Sequence, residues 1–215
     1  QVFQRIKPQD FIKPDTKVQM LNNNWEVSLV EDNFSKLKIN DNYKEIIDKE
    51  SDKFNKESKD KLQEAKWLIK NLRDRSITIL RVSRAIMKKQ NDFLDNGKLL
   101  LKPLILKNIA EELDLHESTI SRVTSNKFIS TPHGIFELKY FFGSAIKNDY
   151  GNDLSSKAIL FKIKELIKNE KQADPFSDEQ LSLLLKNEGI HIARRTIAKY
   201  RNALKILPSN QRKNI

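Results

Sequence analysis

Cysteine is absent from the 215 residues, which excludes disulfides, thiolate-held metals and a cysteine nucleophile. A reducing compartment, the cytoplasm, is the expected setting. No apolar run approaches the ~18 residues that span a bilayer, and the opening QVFQRIKPQD lacks the apolar stretch of a secretion signal, so no membrane partner is expected. The chain opens on Gln rather than Met, and a further segment upstream is expected. Glycine and proline are scarce, five and six residues, and no glycine precedes Gly97. That scarcity, with abundant Lys, Ile, Leu, Asn and Glu, predicts a mainly helical protein broken near 97–103, 131–134, 143–153 and 173–177. A glycine-rich phosphate loop is missing too. His116, His133 and His191 are too dispersed for a metal cluster, and no acidic pair sits in a motif for general acid–base work. Catalysis, a metal and a cofactor are therefore not expected.

What the chain has in excess is positive charge: 40 Lys and Arg against 29 Asp and Glu, a net +11. The excess is concentrated. From Gly189 to Ile215 there are seven Lys or Arg and no acidic residue, and a polyanion is the natural partner of such a stretch. A solvated, disordered basic tail is the plain alternative. The length exceeds one typical domain of ~150 residues, which predicts two or three small units.

Before residue 60, TKVQMLNNNWEVSLV alternates Val18 and Met20, then Trp25, Val27 and Leu29, with polar residues around a polar turn, the pattern of a β-hairpin. Beyond Lys53 the period changes. Leu62, Ala65, Ile69, Leu72, Ile79 and Ile86 recur every three or four residues, with Ser76 and Ser83 in the same seam, which predicts one long helix over about 60–95. Trp67, Leu68, Ile77, Leu80 and Val82 widen its apolar stripe, so more than one partner surface is expected. A buried intramolecular helix, an exposed docking helix and a coiled coil all fit this pattern.

Two helix-turn-helix patterns follow. In LKNIAEELDLHESTISRV, Ile109, Leu113, Ile120 and Val123 face inward and Ala110 is small where two helices cross. Asp114 stands where a turn glycine is usual, a residue type that tolerates left-handed angles. A second helix starting near Glu117 places Ser118, Thr119, Ser121 and Arg122 at its outward face, with Lys127 beyond it and no acidic residue between Ser118 and Phe136; hydroxyls and Arg suit phosphates and base edges. A protein-docking helical hairpin is the alternative. In the second pattern, Leu181, Leu184 and Leu185 form one face and Gly189 ends the helix. The next helix has an apolar stripe of Ala193, Ile197, Tyr200 and Leu204, which leaves Arg195, Lys199 and Asn202 on one exposed stripe and Arg194, Ala198, Arg201 and Lys205 on another. This order argues against a random tail. Ile159, Ile163, Leu166 and Ile167 supply a third amphipathic helix, capped by Ser155 or Ser156, that closes a small bundle.

The decapeptide ARRTIAKYRN at 193–202 closely resembles the box of the enhancer-dependent bacterial sigma factors, sigma-54, usually written ARRTVAKYRE; Ile197 and Asn202 are the two departures. LHESTISRVT, TPHGIFELKYFF, IKPD at 12–15, LKIN at 37–40 and AKWLIKNL at 65–72 also look like that family, in order along the chain. The resemblance implies a mainly α protein with a small N-terminal hairpin region, one long helix, a central helix-turn-helix domain and a C-terminal three-helix DNA-binding domain. It implies that 1–59 ends a region that binds core RNA polymerase, that 60–145 reads a downstream GC promoter element, and that 151–215 reads an upstream GG element. Family members bind promoter DNA and core polymerase as non-catalytic subunits, and an AAA+ ATPase activator acts on an N-terminal region that this chain lacks. By the same resemblance Arg194, Arg195, Lys199 and Arg201 contact the GG element, and Ser118, Thr119, Ser121, Arg122 and Lys127 the GC element. Arg75 belongs to a long helix that helps to block melting. Guanine suits Arg, whose two donors reach O6 and N7. The rival readings are a polymerase-independent repressor binding as a dimer and a recombinase or nuclease subunit, for which no Ser, Tyr or carboxylate centre can be located.

Overall fold

The computed structural model describes residues 12–30, 37–42, 45, 54–146, 154–171 and 174–213, with only the backbone of Phe54 and Asn55. Expectations about the N-terminal decapeptide and part of the 143–153 break lie outside these residues. Strands β1 (Thr16–Leu21) and β2 (Asn24–Leu29) form the expected hairpin, in register Thr16 to Leu29 through Leu21 to Asn24. Its turn residues, Asn22 and Asn23, have φ of 48° and 65°, the pair of positive angles that a two-residue hairpin matched to strand twist requires. The expected break at 131–134 is the turn of a second hairpin, β3 (Phe128–Thr131) and β4 (Gly134–Glu137), whose strands the helical expectation did not include. The two join in one sheet of order β2-β1-β3-β4, with β1 parallel to β3.

Helix α1 (Phe54–Lys89) runs 36 residues, about 54 Å, and ends where Gln90 breaks the pattern before the short α2 (Asn91–Asn96). Only its second half is a core helix. Ile79, Val82, Ala85, Ile86 and Met87 are buried, whereas Trp67, Leu68 and Ile77 are exposed at 65%, 52% and 52%. The buried half meets Val18 and Val27 of the sheet, Phe93, Ile109, Ile120, Ile129, Leu138 and Phe141 in one apolar cluster. Buried Ser83 accepts a hydrogen bond from Thr16, which satisfies two hydroxyls at the helix–sheet contact.

Helices α3 (Leu106–Leu113) and α4 (Glu117–Thr124) form the first helix-turn-helix. Asp114 has φ 53°, and the N–H groups of Leu115 and Asp114 reach back to the carbonyls of Ala110 and Glu111, a left-handed helix end that satisfies carbonyls otherwise left open. A short strand pair, β5 (Ala145–Ile146) with β6 (Leu154–Ser155), leads into α5 (Ser156–Lys168), whose cap is Ser155, accepting from the Ala158 N–H at 3.1 Å. Next come α6 (Asp178–Asn187), α7 (Arg194–Ala203) and the single-turn α8 (Ser209–Arg212). Ser177 and Gln180 exchange side-chain and backbone hydrogen bonds at the start of α6, a reciprocal cap, and Gly189 with φ 75° closes its far end. Helices α5, α6 and α7 enclose a second core of Ile159, Ile163, Leu181, Leu185, Ile190, Ile192 and Ile197.

Candidate nucleic-acid interface

Helix α7 begins after Ala193, which is the exposed N-cap residue and not the core position its spacing predicted; Ile192 enters the core instead. The buried side carries Ile197 and Arg201, with Tyr200 and Leu204 half-buried. The solvent side is one continuous face bearing Arg194, Arg195, Lys199 and Asn202, with the small Ala198 at its edge. Arg194, Arg195 and Lys199 have no hydrogen-bond or ion-pair partner among the described residues. Three cations therefore project together from a rigid element, where an anion meets no competing carboxylate.

Arg201 corrects the expectation of an exposed stripe. It lies four residues after Ile197, on the same helix face, and is 6% exposed. Its Nε and one terminal nitrogen donate to the two carboxylate oxygens of Asp178 at 2.8 and 3.2 Å, and the other donates to the Ile206 carbonyl at 2.8 Å. This forked pair ties the end of α7 to the start of α6 and holds the guanidinium in the interior, away from the solvent face. Arg212 makes a second fork, to Glu170 at 2.7 and 2.9 Å, and donates to the Phe176 carbonyl at 2.8 Å, which holds α8 against these two residues.

On α4, Ser118 and Arg122 are exposed, Thr119 and Ser121 are half-buried, and Ile120 and Thr124 are buried. Arg122 has no partner among the described residues. Ser118 is partly committed: its N–H donates to His116 Nδ1 at 3.2 Å and its Oγ lies 2.8 Å from the same nitrogen, so His116 caps the helix. Lys127 is half-buried and paired. Its Nζ donates to Asp15 at 2.8 Å, while the other oxygen of that carboxylate accepts the Phe128 N–H at 2.9 Å. Asp15 lies just before β1, in the IKPD segment, and the carboxylate that draws Lys127 toward β1 is thus 112 positions away.

The first unit is fixed to α1 by Lys88 and Lys89, which flank Glu112 at 3.5 and 3.2 Å, and by Arg81, which donates to the Leu113 carbonyl. Arg75 stands on the exposed part of α1. His133 is a structural group, 3.0 Å from the Leu94 carbonyl and edge-on to Phe93. Among the described residues no group of acidic and histidine side chains is arranged to hold a metal ion, and no helix is long and apolar enough to cross a membrane. Asp15, Asp178 and Glu170 were not singled out from the sequence, because a carboxylate's distant partner leaves no local periodicity.

Residues 55–214 match the family model described as Sigma-54, DNA binding domain. The chain is 45% identical over 207 residues to the RNA polymerase sigma-54 factor of Escherichia coli, covering 96% of this chain and 43% of that protein. It is 46% identical over 209 residues to the same-named protein of Shewanella violacea, covering 96% and 42%. The chain thus spans less than half the length of these curated relatives. Among solved structures it is similar to Aquifex aeolicus sigmaN bound to promoter DNA, with a TM-score of 0.59 and 34% identity over 94% of this chain and 60% of that one.

Proposed function

Because the chain belongs to the sigma-54 family, we propose that it is the promoter-binding portion of an enhancer-dependent RNA polymerase sigma factor and reads duplex DNA through α7 and α4. In this reading α7 enters the major groove at the upstream GG element. Arg194 and Arg195 present paired donors to O6 and N7 of guanine, Lys199 meets a phosphate, and Ala198 permits close approach. Helix α4 reads the downstream GC element with Thr119, Ser121 and Arg122, and Ser118 assists through whichever Oγ lone pair its cap leaves open. Arg201 is left out of the first set, being buried against Asp178, and Lys127 has a supporting part in the second, since its Nζ already pairs with Asp15.

The protein acts as a non-catalytic specificity subunit in the cytoplasm and recruits core polymerase. The activator acts through a region outside this chain. Arg75 and the exposed half of α1 restrain melting until it does.

One observation carries the proposal: three cations, Arg194, Arg195 and Lys199, share a solvent face with no carboxylate partner among the described residues. The test is Arg195→Ala in gel-shift titrations. A loss of ~1–3 kcal/mol is expected on a GG-containing duplex and far less on a scrambled one. Equal losses on both would reduce Arg195 to a phosphate contact and remove the base-reading role.

A further inference from the structure

The two reading units are joined by more than chain connectivity. Helix α5 serves both cores: Ala158 belongs to the first and Ile159 and Ile163 to the second. Just before it, the Ser155 N–H donates to the Leu101 carbonyl at 3.3 Å and the Ser156 N–H to the Ser144 carbonyl at 3.1 Å, beside the β5–β6 pair. Apolar packing is incomplete across the junction, where a groove of about 450 Å³ is lined by Leu99, Leu100, Leu154, Ile159, Lys162 and Ile190. Lys98 spans one side, with its Nζ 5.1 Å from the centre of the Phe136 ring and 5.9 Å from that of Phe161.

Lys157 makes a second bridge between the units. Its Nζ donates to the main-chain carbonyls of Tyr140 and Phe142, the latter at 3.0 Å, and sits 4.5 Å from the centre of the Tyr140 ring. These acceptors lie at the end of the first unit, and the lysine lies in the first turn of the helix that opens the second. A cation at a helix N-terminus opposes the helix dipole, and a half-buried ammonium that makes no ion pair within 4 Å among the described residues gives up hydration that good acceptors must replace. Both costs fall at a position whose contacts, to Tyr140 and Phe142, tie the first turn of α5 to the end of the first unit.

The geometry points to Lys157 as a positioning residue that holds the two reading helices at one separation, so that the protein itself measures the spacing between the promoter elements. The consequence for DNA rests on the function proposed above; the lock between the units does not. Inserting one base pair moves an element by ~3.4 Å along the axis and turns it by about 35°. A fixed pair of readers cannot follow that displacement, whereas a loosened pair can.

The absence of cysteine from the sequence makes a direct measurement simple. Spin labels at Lys107→Cys and Lys186→Cys, both exposed positions outside the reading faces, report the distance between the units by double electron–electron resonance. The full chain is expected to give one narrow distribution, Lys157→Met a broad one, and Lys157→Arg, which keeps charge and donors, a narrow one. Duplexes with the two elements at native spacing and one base pair longer or shorter supply the second readout. Lys157→Met is expected to flatten the spacing preference by up to roughly tenfold, the factor one hydrogen bond to a charged group supplies, and to bind single-element duplexes as the parent does. A distribution that is already broad in the parent, or one that stays narrow in Lys157→Met, overturns the lock. A lock that responds while all duplexes bind alike retains Lys157 and rejects the promoter reading instead.

Discussion

Arg195 and Arg201 lie on one helix in opposite environments, the first in solvent and the second forked onto Asp178 with only 7% of its side chain exposed. Their truncations should therefore differ in kind. Arg201→Ala leaves Asp178 and the Ile206 carbonyl without their donor and should cost about 2–4 kcal/mol of stability, with DNA affinity falling equally on specific and scrambled duplexes. Chemical denaturation checks the first part, and an unchanged midpoint would refute the structural role. A second residue-scale prediction concerns protons. Burial pulls the Lys157 ammonium below its ordinary value of 10.5, with Glu137 partly opposing, while burial pushes the Tyr140 hydroxyl above 10.0. Between the lowered pKa and 10.5 the unfolded chain binds more protons at Lys157 than the folded one, so this residue's penalty is full below that window and is relieved as pH rises through it. Tyr140 has the opposite sign: above pH 10 the unfolded chain ionises first and stability falls. The Lys157 Cε resonance should titrate below 10.5 in the native protein and at 10.5 once urea unfolds it. Identical midpoints would contradict the burial.

At the scale of elements, the helix-turn-helix turn depends on Asp114 holding φ 53°. That angle is strained for a residue with a Cβ and neutral for glycine. Asp114→Gly should stabilise by about 0.5–1 kcal/mol, near 1–4 °C in Tm, whereas Asp114→Val should destabilise, because a β-branched residue there is a steric outlier. Thermal melts of the pair check this, and a stable Val variant would show that the turn can rearrange. Periodicity and turn chemistry made this element readable: the start at Glu117, the buried Ile109 and Ile120 and the left-handed Asp114 all follow from local spacing. The β3–β4 hairpin was not readable. Only four residues form each strand, and their pairing is stabilised by β1, more than 100 positions earlier. In the stripe of α7, Ile197, Tyr200 and Leu204 face the second core as their spacing predicts, whereas Ala193 caps the helix in solvent and Arg201 turns inward, because a distant carboxylate and not hydropathy decides where that guanidinium lies.

For the whole molecule, β1 is an interior strand, so the N-terminal hairpin is part of the first core and not an appendage to it. A chain beginning at Phe54 should lose cooperative melting or aggregate, since it uncovers Ile129 and Val82 and leaves β3 with an unpaired edge. A truncated chain that melts like the full one would contradict this. Composition and local order were enough to establish a helical, basic protein, two helix-turn-helix units and the decapeptide that carries the family resemblance, because helix period, caps and turns depend on residues within a few positions of one another. Which cations reach solvent was settled elsewhere. Arg201 meets a carboxylate 23 positions away and Lys127 one 112 positions away, and the half-exposed state of α1 follows from where the sheet ends. Charge in a sequence has no direction; packing supplies one by choosing which carboxylate lies within hydrogen-bond reach.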